Sequence, residues 1–224
     1  VAGLECLQGR GIVNSISLKD GESEFLRRAR EIHRLGACPL VMCFDEKGQA
    51  DTPERRRDIA ERSYRLLVAN GIPPERIVID ANVFAIATGI PGHDRLAADF
   101  IDAVRWIKAN LPGALTSGGI SNVSFAFRGN DALRGWIHSV FLHHAVAAGL
   151  DLAIVNPAAI PDYAAIPEDR RRIVEDAVLF RDQFPGLGNI ADEKLPDPAG
   201  GVGQGNIPSD DVVAYKFMSV RDLN

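Results

Sequence analysis

The sequence predicts a parallel α/β fold assembled from five consecutive strand–helix units. Two observations carry that reading. Short apolar runs alternate with helical patterns from residue 13 to 180, and an Asn or Asp lies at or just past the end of every strand pattern: Asn14, Asp45, Asp80, Asn122 and Asn156. Five such units in a row imply a parallel sheet with right-handed crossovers, whose strand C-termini share the ligand-bearing face. One Asn or Asp is an ordinary turn former. Five of five predict a shared polar pocket.

The first unit pairs a β-type run at 13–16 with a helix at 22–35, where Phe25, Leu26, Ala29 and Ile32 recur at helical spacing before Gly36. PLVMCF (39–44) is continuously apolar, as in a strand covered on both faces. Thr52-Pro53 then supplies an N-cap and a first-turn proline for a helix running to about Asn70. RIVID (76–80) precedes a loop and a helix from about 95 to 110. A strand at 114–117 leads through a polar loop to a helix at 131–148, and DLAIV (151–155) precedes the last helix at 168–180. Beyond Gln183 the chain turns to Gly and Pro, including GGVGQG (200–205), which reads as a tail at 184–224; within it, 211–219 could add one short strand of unassigned pairing.

Composition bounds the function. With 46% hydrophobic and 25% charged residues, the 224-residue chain can bury a core as one domain. A net charge of −5 argues against nucleic acid, and Arg55–Arg57 and Arg170–Arg172, flanked by acids, read as solvated helix faces. Three cysteines without a CxxC pair argue against a disulfide framework. No run approaches 18 apolar residues and VAGLECLQGR lacks the blocks of a signal peptide, so no membrane association and a cytoplasmic location are expected.

The most informative stretch is TSGGISNVSFAFRG (116–129). Gly118 and Gly119 remove side chains where the backbone turns or a ligand approaches, while Ser121, Asn122, Ser124 and Arg128 crowd polar groups after them. No GxSxG elbow, P-loop or dinucleotide fingerprint is present. His143 and His144, about 100° apart on a helix, do not suit one metal, and no metal is expected. A site of carboxylates and amides suits a planar, nitrogen-rich heterocycle such as a pterin or purine, with a sugar or small acid as alternatives.

GIVNSISLKDG (11–21), VMCFDEKGQADT (41–52), IVIDANVFAIATGI (77–90) and the long run from Ser117 to Pro157 resemble the pterin-binding (methyltetrahydrofolate-binding) domain of cobalamin-dependent methionine synthases. The likeness covers about residues 3–182. It implies a (β/α) TIM barrel of the dihydropteroate synthase-like type, holding 5-methyltetrahydrofolate as substrate and passing its N5 methyl to cob(I)alamin carried on a separate domain. By this resemblance Asn14 and Asp80 bind the pterin ring, Asn122 sits near N5, and Asn122 and Asp80 carry the catalysis. Arg128 lies near the folate or its tail, and Asp45 and Gln49 are candidates for the rim. Alternatives are a stand-alone methyltetrahydrofolate:corrinoid methyltransferase and a non-catalytic binding remnant.

The resemblance starts at about the fourth strand of eight, so the expected domain is a partial barrel at 1–183 without its first three units. Cobalamin-binding and homocysteine-binding partner domains have no counterpart in these residues. Open sheet edges lead to the expectation of self-association and weak folate binding by the chain alone.

Overall fold

The computed structural model describes residues 2–6, 8–90, 92–181, 187 and 191, together with the backbone of 216–219. Most of the 184–224 tail therefore lies outside the described residues. The strands are β1 (Ile12–Ile16), β2 (Cys38–Met42), β3 (Phe44–Asp45), β4 (Gly48–Gln49), β5 (Val78–Asp80), β6 (Leu115–Gly119), β7 (Leu152–Val155) and β8 (Lys216–Ser219). The helices are α1 (Ala2–Glu5), α2 (Glu22–Arg34), α3 (Pro53–Ala69), α4 (Leu96–Asn110), α5 (Asp131–Ala147) and α6 (Glu168–Leu179). Strands β1-β2-β5-β6-β7 pair in that order, all parallel, as a curled half-barrel. The five predicted strand–helix units are all present.

Local sequence accounts for the ends of these elements. Thr52 caps α3 by accepting the Arg55 N–H, with Pro53 in the first turn. Asn130 caps α5 by accepting the Leu133 N–H at 3.0 Å. Asp151 fixes the entry to β7 by accepting from Thr116 N at 2.8 Å and from Lys108 Nζ at 2.9 Å.

Strand alternation divides the core into two unequal layers. Val41, Ile79, Ala153 and Val155 face the helices and join the large cluster with Phe25, Ile59, Phe100, Val104, Ile137 and Phe141. Cys38, Leu40 and Val78 form a small second cluster on the concave face, with Ile12, Met42, Leu115 and Leu152 half-buried around it. No helix among the described residues is long and apolar enough to cross a membrane.

Three features depart from the sequence reading, and a fourth fills in what it left open. The stretch after β6 is a 3-10 helix, Ile120–Phe127, rather than an open loop. The strand expected somewhere in 211–219 is β8, which pairs antiparallel with β7, so that edge of the parallel sheet is covered by the chain itself. Arg55–Arg57 are not a solvated face: Arg56 is 1% exposed, its Nη1 donating to the Leu96 carbonyl at 3.3 Å and its guanidinium 5.4 Å from the Phe84 ring centre. Its position follows from the 3.6-residue period, which turns this one arginine inward beside Ile59 and Ala60. Gly118, finally, serves packing rather than a turn. A Cβ there would lie 2.7 Å from Phe100 Cζ and 3.1 Å from Val83 Cγ2.

Gly118→Ala should therefore destabilise the fold by about 1–3 kcal/mol, because an added methyl must push α4 off the sheet. Urea denaturation of the two proteins measures it, and unchanged stability would show that Phe100 has room to yield.

Candidate functional site

At the C-terminal ends of the parallel strands lies a cavity of about 150 Å³. It is lined by Asn14, Met42, Gln49, Asp80, Asn82, Val83, Gly119, Asn122 and Ile154. All five parallel strands contribute, directly or through the segment that follows. Four sequence candidates meet here: Asn14, Gln49, Asp80 and Asn122. A larger open groove of about 490 Å³ lies over α2 and α3, lined by Glu22, Asp58, Glu61, Arg62, Arg65, Leu66 and Ala69. Its charges largely satisfy one another, as in Arg62 with Glu22 and Arg65 with Glu61, so the strand-end cavity is the better candidate.

Asp80 is the centre of the site. It ends β5, in register with Met42 on one side and Ser117 on the other, and is 7% exposed. Its Oδ1 accepts the Asn82 backbone N–H at 2.8 Å. Burial pushes its carboxyl up to about 7, against the opposing pull of that hydrogen bond and of the Arg56 charge. The group therefore changes charge near neutral pH, a common property of residues that bind or transfer protons.

The flanking groups are set by local structure. Asn14 reaches the cavity where the β1–β2 register shifts between Asn14 and Ile16. Gln49 sits on the β3–β4 hairpin, which Arg55 clamps: Nη1 donates to the Gln49 carbonyl at 2.8 Å, and Nη2 donates to the Gly48 carbonyl at 3.0 Å and Asp45 Oδ1 at 2.8 Å. Asp45 also accepts from Lys47 N at 2.9 Å. Its carboxylate holds the hairpin, and it does not line the cavity.

Asn122 rides on the 3-10 helix. That helix is pinned through fully buried Ser124, whose Oγ lies 2.7 Å from His138 Nε2 and accepts from Arg134 Nε at 3.1 Å. Burial pushes His138 down to about 4, so it is neutral near pH 7. Gly119 lines the cavity beside the Asn122 amide, where a Cβ would lie in ordinary contact, 3.4 Å from Nδ2. Arg128 does not line the cavity; its guanidinium stacks 3.9 Å from the centre of exposed Phe125. Asn156 caps the turn after β7 by accepting from Ala158 N at 3.2 Å, also outside the cavity.

Sequence reasoning missed Asn82, Met42, Val83 and Ile154. Asn82 follows Asp80 by two residues and takes φ 63°, a conformation Asn tolerates better than most residues. That tolerance was the available signal. Among the described residues no group of three or more His, Cys, Asp or Glu is placed to hold a metal ion.

A carboxyl poised near neutrality, four amides and apolar walls can grip the edge of a flat heterocycle carrying N–H donors. Ligand pockets commonly enclose roughly 300–1,000 Å³. At about half the lower figure, this cavity suits a ring system and not a long tail. The family model described as "Pterin binding enzyme" matches residues 1–156 of the 224.

The raised Asp80 value has a sign in stability. Well below pH 3.8 the carboxyl is protonated in both folded and unfolded chains and the shift costs nothing. As pH rises from 3.8 toward about 7 the unfolded chain ionises first, and stability falls by an amount on the order of 4 kcal/mol. Asp80→Asn should therefore stabilise the ligand-free protein by about 2–4 kcal/mol at pH 8, with the gain vanishing near pH 4. Denaturant melts at the two pH values test this, and equal stability at pH 8 would contradict it.

Proposed function

The chain belongs to the pterin-binding enzyme family, and we propose that its strand-end cavity holds the pterin ring of 5-methyltetrahydrofolate and that the protein passes the N5 methyl group to cob(I)alamin in methionine synthesis. The observation that supports this most is the convergence of Asp80, Asn14 and Asn122 on one cavity sized for a ring.

In this reading Asp80 accepts two N–H bonds from the amidine-like edge of the pterin, and Asn14 reads a further polar position of the ring. A ligand that donates two hydrogen bonds favours the ionised carboxylate, so affinity rises as pH increases through about 7. Asn122 stands at N5, where its carbonyl oxygen accepts from a protonated nitrogen. Protonation matters because the methyl–N5 bond breaks with its electron pair staying on nitrogen. A neutral tertiary amine is a poor leaving group, whereas an N-protonated one leaves as a neutral secondary amine. Cob(I)alamin, docked from a separate domain, supplies the nucleophile, and no residue of this cavity is assigned to holding it. The tail of the folate is assigned to the Phe125–Arg128 stack, at the C-terminal end of the 3-10 helix that carries Asn122, which offers an aromatic face and a cation.

Mixing the protein anaerobically with 5-methyltetrahydrofolate and cob(I)alamin should produce methylated corrinoid, read by its visible spectrum. Asn122→Ala should slow that transfer about 100-fold, while folate affinity measured by equilibrium dialysis changes much less. Binding without transfer would reduce the protein to a folate-binding module, and absence of binding would remove the folate reading altogether.

A further inference from the structure

Asn82 is buried to 2% exposure, and each of its nitrogens donates a hydrogen bond. Its backbone N–H goes to Asp80 Oδ1 at 2.8 Å, and Nδ2 donates to the Cys43 carbonyl beyond the end of β2 at 2.6 Å. A carbonyl only accepts, so the amide nitrogen must face Cys43 and the orientation of the side chain is fixed. Oδ1 is left buried without a protein partner. Other buried side-chain atoms lack partners too, among them Ser63 Oγ, Ser117 Oγ and Arg56 Nε. None of these belongs to a residue lining the cavity, whereas Asn82 does.

We infer that Asn82 Oδ1 is a binding and specificity-determining acceptor, which takes an N–H of the bound heterocycle beside the edge held by Asp80. The inference rests on the pterin reading and sharpens it. A pterin's exocyclic amine carries two hydrogens. A carboxylate gripping the ring N–H and the amine uses one of them, and a second acceptor nearby is needed for the other. An acceptor oriented in advance and dehydrated before binding discriminates strongly, since a ligand lacking the donor leaves it unpaired.

The test compares the full chain's affinity for 6-methyltetrahydropterin and for its 2-deamino analogue. Asn82→Gly suits the positive φ and keeps the backbone N–H to Asp80; Asn82→Ala is a second, independent version, since Ala87 holds φ 54° in the same loop. In both variants the preference for the amino ligand should shrink about tenfold, with affinity for the deamino analogue nearly unchanged. Asn82→Asp, whose buried acid form keeps one donor for Cys43 and one acceptor, should retain the preference. A variant that weakens both ligands equally would make Asn82 purely structural and overturn the inference. If the wild-type chain binds neither ligand, the pterin reading itself fails and this inference with it.

Discussion

Everything at the strand-end face depends on the parallel register of β5. This three-residue strand is paired on both sides, Met42 to Asp80 and Asp80 to Ser117, and the neighbouring pairs carry that alignment outward to β1 and β7. Parallel pairing brings all the strand C-termini to one level, and strict alternation then decides which residue at that level faces inward. The large helix-side cluster supplies the burial that keeps this arrangement fixed, while the concave face has only a small apolar patch and a polar rim.

The rim is costly to build, and its cost explains its chemistry. Asp80 is held almost dry with a single backbone donor, and the Arg56 charge behind it offsets part of the penalty. Arg56 is itself depressed by burial and drawn back mainly by Asp99. A buried cation and two buried acids thus share one region without a full hydrogen-bonded salt bridge between Arg56 and Asp80, an arrangement that favours responsiveness over stability. Arg55, one position earlier, does ordinary structural work by clamping the β3–β4 hairpin that presents Gln49. Adjacent arginines on one helix thereby serve different layers of the site.

Much of this was legible in the sequence because it is periodic or terminal. Apolar runs, caps and glycine stops located five strands and their helices, and the Asn and Asp residues at strand ends pointed to Asn14, Asp80 and Asn122. What escaped depends on contacts distant in sequence. Charge clustering made Arg56 look solvated, although helical phase turns it inward. Asp45 looked like Asp80 by position, yet a hairpin and Arg55 engage it. Asn82 sat in a segment without periodicity, and its unpaired oxygen exists only once Cys43 has taken its amide nitrogen. The pairing of β8 with β7 spans more than 60 residues, and no local pattern encodes it.

The paired glycines of β6 stand next to each other for unrelated reasons. Gly118 lets Phe100 of α4 rest on the sheet, and Gly119 faces the cavity beside the Asn122 amide. Because successive strand residues alternate between faces, the two requirements are locked together by parity. A single-residue insertion or deletion within Leu115–Gly119 would exchange them, turning a cavity residue toward α4 and a packing residue toward the cavity. Point substitutions can touch one face of this strand at a time, but length changes cannot. Indels are therefore expected to accumulate in the surface turns and to avoid this strand.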